Sequence, residues 1–236
     1  HRDLHSFPTR RSSDLHGPAV ASILVGNNTG SAPGASLYYF AVPSWKGDTK
    51  YYADALKMII ELNKGFNEGE KIKVVSVSAA PSGRGSPFET NKKEWDEVVL
   101  EAKKNNILVL DCTSTNGFIS PGYWSLDDPD RIDLFKSGWP DSKEIITGST
   151  KICAPTSYRT VAEEYVEGEY SYQYTCKGGL SWAIPYVAGV CALAWQVNPL
   201  ISAEEMKMII TKSAYITKGK ARVVNPKAAI EMARKK

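Results

Sequence analysis

The chain has 236 residues, 29 basic and 26 acidic, for a formal net charge of +3. A balance this close to neutral argues against a nucleic-acid or membrane-surface partner held by charge alone. Hydrophobic residues at 42% with 10% aromatics exclude a disordered chain and suffice for one large α/β domain or two small ones.

Residues 1–15, HRDLHSFPTRRSSDL, show no hydrophobic period. Back-translated, they match a short-read sequencing adapter in one frame over their whole length. We read them as a non-native, adapter-derived segment outside the fold, and expect native sequence upstream of His16 to be missing. HGPAVASILVG follows, and predicts a helix over Ala19–Val25 opened by His16 and Gly17. SLYYFAV (36–42) reads as a strand and YYADALKMIIELNKGF (51–66) as an amphipathic helix. KIKVVSVSAA (71–80) reads as a strand, KEWDEVVLEAKKNN (93–106) as a helix and ILVLDCT (107–113) as a strand. A polar, Gly/Pro-rich tract over 114–143 interrupts the alternation, and EIITGST (144–150) and KICAP (151–155) resume it as short strands. EEYVEGEYSYQYT (163–175) alternates with period two about Glu167-Gly168, a hairpin signal. Three helices follow, near 181–197, 202–213 and 225–235. Strand–helix–strand repetition with aliphatic strands predicts a single α/β domain, a mostly parallel central sheet with helices on both faces. Ligands of such sheets bind beyond the carboxyl ends of the strands.

Ala183–Ala203 carries no charge and is long enough to cross a bilayer. Pro185, Gln196, Asn198 and Pro199 interrupt it, so a buried core helix is expected and no membrane span. Cys112, Cys153, Cys176 and Cys191 form no C-x-x-C pair, so a zinc site is not expected. Cys112, Cys153 and Cys191 sit in apolar segments, as small buried hydrophobes do.

Two stretches carry chemistry. In CKGGLSWAIPYVAGV (176–190), Ser181 stands before a long apolar helix, facing its unpaired N–H groups and positive dipole end. The ordinary reading of Ser181 is a helix N-cap. Gly178-Gly179 before it would let a substrate backbone approach closely. In HGPAVASILVGNNTGSAPGASLYY (16–39), His16 is the sole histidine outside the adapter segment. If the domain uses a histidine as general base it is His16, though a surface or capping role fits the sequence equally.

With these residues in view, the chain resembles the subtilases, the subtilisin-like serine peptidases. H-G-x-x-V-A-S and G-x-S-x-A-x-P-Y-V-A-G are similar to the family's H-G-T-H-V-A-G and G-T-S-M-A-x-P-H-V-A-G. VVSVSAAPSG (74–83), KICAP (151–155) and NPLISAEEMKMIITKSA (198–214) match further family motifs in the family's order. The resemblance implies a three-layer subtilisin-like fold over residues 16–236, a partial peptidase domain missing its N-terminal strand or strands. It implies a serine endopeptidase acting on polypeptides through a Ser-His-Asp triad, with Ser181 as nucleophile, His16 as base and an acyl-enzyme intermediate. The Ser181 N–H and a side-chain amide would form the oxyanion hole. Thr113-Ser114-Thr115-Asn116-Gly117 replaces the family's A-A-G-N, which makes Asn116 the candidate amide; its ordinary reading is a turn asparagine. Ser78, Ala79 and Ala80, with Gly179, would bind an extended substrate by β-augmentation. Asp111 is expected to be buried and hydrogen-bonded.

The sequence also departs from the family pattern. Leu180, Trp182 and Tyr186 replace threonine, methionine and histidine, and Pro18-Ala19 replace Thr-His. The family aspartate lies roughly 30 residues before the histidine. Asp3 and Asp14 belong to the adapter segment, so the triad aspartate is expected to be absent and the chain nearly inactive. The alternative is a catalytically inactive subtilase-fold binding or regulatory module. An unrelated α/β hydrolase is set aside because GGLSWA lacks the glycine after serine. No cofactor is expected. Calcium is common in the family, but LDDPDRID (126–133) reads as a solvated turn. A monomer is expected, and by resemblance a secreted or cell-associated one.

Overall fold

The computed structural model describes residues 8–83, 85–113, 117–141, 151–166, 169–175 and 178–236. In chain order these form α1 (Pro8–Val25), α2 (Lys50–Lys64), β1 (Val74–Val77), α3 (Lys92–Lys104), β2 (Leu108–Asp111), β3 (Ile119–Tyr123), β4 (Lys136–Ser137) and β5 (Ile152–Pro155). They continue with β6 (Arg159–Val166), β7 (Glu169–Thr175), α4 (Leu180–Val197), α5 (Ala203–Ser213), β8 (Tyr215–Ile216), β9 (Arg222–Val223) and α6 (Pro226–Arg234).

Each long helix forms for a reason written in its spacing. In α2, Ala53, Leu56, Ile60 and Asn63 recur at helical intervals and are buried, as are Trp95, Val98 and Ala102 of α3. These faces close over Val75 of β1 and Ile107 ahead of β2. α4 is apolar nearly all round, so it lies in the middle of the fold, with Ala183, Ile184, Val187, Ala188, Cys191 and Ala194 fully buried. It packs against β2, β3, β5, α5 and α6 through Leu110, Ile119, Ile152, Met206 and Ala229. The result is three layers, α2 and α3, then strands, then α4 with α5 and α6. Among the described residues α4 is the helix long and apolar enough to cross a membrane, and 56% of it is buried inside the fold. It is a core helix, as its interruptions suggest. α5 opens with a full capping box, Ser202 and Glu205 each bonding the other's backbone N–H, and Asn225 caps α6.

The fold is three-layer α/β, yet the strands differ from expectation. The single, mostly parallel sheet is resolved among the described residues as three. β1 and β2 pair in parallel; β4-β3-β5-β9-β8 form a mixed sheet; β6 and β7 form the antiparallel hairpin. Within the mixed sheet β3–β5 and β5–β9 are parallel, while the edge strands β4 and β8 are antiparallel. β3 and β4 fall in the tract read as an interruption. Gly122 of β3 admits the Phe135 ring, which a Cβ there would meet at 2.3 Å.

Segment 36–42 forms no strand, contrary to its sequence. Aromatic and β-branched residues favour a strand only where a neighbour completes the ladder, and no described strand lies beside it. Helix α1 begins at Pro8 rather than near His16, and runs through Pro18. Proline fits the first helical position, while Pro18 removes one internal hydrogen bond without ending the helix. The predicted strand 144–150 and the hairpin turn 167–168 lie outside the described residues.

Candidate active site

The first turn of α4 is built around two glycines with different jobs. A Cβ on Gly178 would lie 1.6 Å from the Thr156 carbonyl oxygen and 2.1 Å from Cδ1 of Trp182, so only glycine fits beneath that indole. Gly179 is the N-cap, extended at φ −117° and ψ 176°, and a Cβ there would meet only Ser181 atoms near 4 Å. The helix starts at Leu180, so Ser181 stands inside the first turn and does not cap it. Its amide is one of the first-turn donors that no intrahelical carbonyl can reach.

Pro185 lies inside the helix, past its first turn. It has no N–H for the carbonyl four residues earlier, that of Ser181. Ser78 Oγ supplies the missing donor at 2.9 Å, and Ser181 Oγ donates in return to the Ser78 carbonyl at 3.3 Å. Residue 78 follows directly on β1, so the nucleophile candidate is tied to the carboxyl end of a parallel strand.

His16 comes from α1. Its imidazole stacks on the Trp182 indole, with ring centroids 5.4 Å apart and planes inclined by 29°. Burial holds it below the ordinary histidine value, favouring the neutral ring. Among the described residues no hydrogen bond joins His16 to Ser181 or to a carboxylate. α1 is held here by Ala19 and Ile23, which pack with Val161 of β6, and by Ser22 Oγ, which accepts from the Ala162 N–H at 3.0 Å. Arg159 of β6 lies beneath α4. Its Nη1 donates to the Pro155 carbonyl at 3.1 Å and, at 3.5 Å, to that of Trp182, and its guanidinium faces the Tyr186 ring at 5.1 Å. Burial pulls Arg159 down to about 10.

The remaining candidates are distributed as follows. The Ala79 carbonyl accepts from Cys112 N–H at 2.8 Å, and that of Ala80 from Ser86 Oγ at 2.7 Å. Asp111 is hydrogen-bonded as expected, accepting from Trp95 Nε1 at 3.2 Å and Thr113 N–H at 2.9 Å, but is only partly buried. Cys153 and Cys191 are buried in the core. Cys112 is only partly buried; burial pushes its thiol up to about 12, with the Ser181 hydroxyl beside it pulling the other way. Asp133 in the 126–133 loop is bound by Arg131 at 2.6 Å, which holds its carboxyl below the usual range. Asn116 lies outside the described residues. Sequence reasoning missed the Ser78–Ser181 tether and the Arg159 contact. The tether had a signal, a proline four residues after the candidate nucleophile.

A family profile described as the Subtilase family matches residues 5–229. Among solved structures, the chain is similar to one described as the structural basis of subtilase cytotoxin SubAB assembly, at 19% identity and a TM-score of 0.69, covering 95% of this chain and 78% of that one. The A-subunit of the AB5 toxin from E. coli is similar at 19% identity and a TM-score of 0.66, covering 99% and 84%. Sphericase is similar at 20% identity and a TM-score of 0.64, covering 87% and 71%. No curated protein matches the sequence.

Proposed function

The chain belongs to the subtilase family, and from that premise we propose that it is a serine endopeptidase in which Ser181 is the nucleophile and His16 the general base. The observation carrying this reading is the stacking of His16 on Trp182, the residue after Ser181, by helices more than 150 residues apart in the chain.

The chemistry follows the serine-peptidase course. Ser181 Oγ turns from the Ser78 carbonyl toward His16 and attacks the scissile carbonyl carbon as the imidazole takes its proton. The Ser181 N–H, with the amide of Asn116 as second donor, receives the oxyanion. Collapse breaks the C–N bond, His16 returns the proton to the leaving amine, and water hydrolyses the acyl-enzyme by the same proton path. The open side of Gly179 leaves room for the substrate chain, which runs beside Ser78, Ala79 and Ala80. These steps draw on no cofactor.

A partly buried imidazole with no carboxylate partner among the described residues is a weakened base, since burial costs its charged form and no such partner offsets that cost. A carboxylate on its far nitrogen supplies that offset. In subtilisin itself, loss of the triad aspartate alone lowers turnover by roughly 10⁴. We therefore propose that this chain reacts slowly until such a carboxylate is supplied. A fluorophosphonate probe tests the reading: labelling is expected at Ser181, lost in Ser181→Ala and much slowed in His16→Ala. A chain whose Ser181 never labels, even with a carboxylate supplied, is instead the inactive binding module.

A further inference from the structure

Gly178, just ahead of α4, is held by a run of buried hydroxyls. Its N–H donates to Ser157 Oγ at 3.3 Å, and Ser157 Oγ lies 3.5 Å from Thr156 Oγ1. Thr156 Oγ1 donates at 3.1 Å to the Gly122 carbonyl of β3, which the Thr156 N–H also reaches at 2.8 Å. Thr156 and Ser157 are both fully buried. A hydroxyl has one hydrogen to give. That of Thr156 goes to Gly122, so Ser157 is the donor between the two side chains. The run therefore has one direction, from the Gly178 N–H through Ser157 and Thr156 to the sheet. Buried hydrogen bonds aligned in this way polarise one another.

The segment carrying these hydroxyls is strained. Tyr158 has a φ of 56°, a left-handed backbone that a bulky side chain adopts at a cost. Such a conformation persists only where its surroundings impose it. Here the Tyr158 ring stands edge-on to that of Tyr123, with centroids 6.0 Å apart, and Tyr123 follows Gly122 in β3. Ring and hydroxyls thus grip two neighbouring residues of one strand. The Thr156 carbonyl, for its part, leaves no room for a Cβ on Gly178.

Gly178 precedes the N-cap Gly179, and Ser78 already holds Ser181 from the side of β1. The start of α4 is therefore fastened twice, to β1 through Ser78 and to β3 through Ser157. Placement at this point matters, because a shift of about 1 Å in a reacting group can cost on the order of 10²-fold in rate. We propose that Ser157 is a positioning residue for Ser181. Through Gly178 it fixes the N-cap, and with it the amide and hydroxyl that Ser181 presents to substrate, while Thr156 fixes Ser157. The positioning role rests on the reading of Ser181 as nucleophile; the hydroxyl run does not.

The test uses the full chain and three variants, Ser157→Ala, Thr156→Val and Thr156→Ser. Amide hydrogen exchange at Gly178 reads the run. Fluorophosphonate labelling of Ser181, resolved into probe affinity and maximal rate, reads its effect on chemistry. Ser157→Ala should speed Gly178 exchange by roughly tenfold or more. It should slow maximal labelling by roughly 10–100-fold and leave probe affinity unchanged. Thr156→Val should move both readouts the same way by less. Thr156→Ser, which restores the hydroxyl without the methyl, should recover the rate although it unfolds at a lower temperature. That recovery separates positioning from packing. Should Ser157→Ala fail to fold, the two Thr156 variants decide. Unchanged Gly178 exchange in Ser157→Ala overturns the run. Faster exchange with unchanged labelling, or equal slowing by Thr156→Val and Thr156→Ser, overturns the positioning role. A wild-type chain whose Ser181 never labels removes the nucleophile reading and the positioning role with it, and leaves the run to be judged by exchange.

Discussion

Ser78 and Ser181 are joined by two hydrogen bonds that run in opposite directions, each side chain donating to the other's carbonyl. The pairing exists because Pro185 leaves the Ser181 carbonyl without its helical donor. One proline thus converts an ordinary helix start into a socket that a strand end must fill, and fixes the nucleophile candidate against the sheet.

Ser78→Ala should cost about 1–2 kcal/mol in urea unfolding, because it strands a part-buried carbonyl. In a Pro185→Ala background the restored N–H meets that carbonyl, so the cost should shrink by about 1 kcal/mol. Equal costs in both backgrounds would show that the tether does not serve the proline gap.

The two glycines separate packing from access. Gly178→Ala forces a methyl into the Thr156 carbonyl and the Trp182 ring and should destabilise the fold by about 1–3 kcal/mol. Gly179→Ala should cost less than about 1 kcal/mol, yet slow probe and peptide acylation, since its methyl stands near the Ser181 hydroxyl. Thermal unfolding and labelling rates check both, and the reverse ranking of stabilities would refute the assignment.

His16 sets an acid limb. Its neutral form is favoured by burial, so between the lowered value and the ordinary 6.5 the unfolded chain binds more protons than the folded one. Stability is therefore full above 6.5 and declines as pH falls through that window. An NMR titration of His16 should give a midpoint below 6.5, and Trp182→Ala should bring it back toward that value by opening the ring to water. A midpoint above 6.5 in the wild-type chain would reveal an acidic partner already in place.

Helices were legible because their signals are local. The spacing of Ala53, Leu56 and Ile60, the Ser202–Glu205 capping box and the uniformly apolar 180–197 each specify a helix within a few residues. The motifs around His16 and Ser181 were legible for the same reason, being short and contiguous. Strand 36–42 was misread because a strand is a relation between two segments, and composition reports only one of them. Strands β3 and β4 inside the tract 114–143 were not legible, because the fit of Gly122 to Phe135 depends on a residue brought there by folding.

The sequence by itself determined most of the helices and the family, and nominated His16 and Ser181 for chemistry, since propensity, capping and motif are properties of adjacent residues. Only the tertiary structure decided that His16 stacks on Trp182 and that Ser78 replaces the donor Pro185 lacks. Each of these joins segments far apart in the chain, and such contacts are chosen by packing and hydrogen-bond satisfaction across the whole fold.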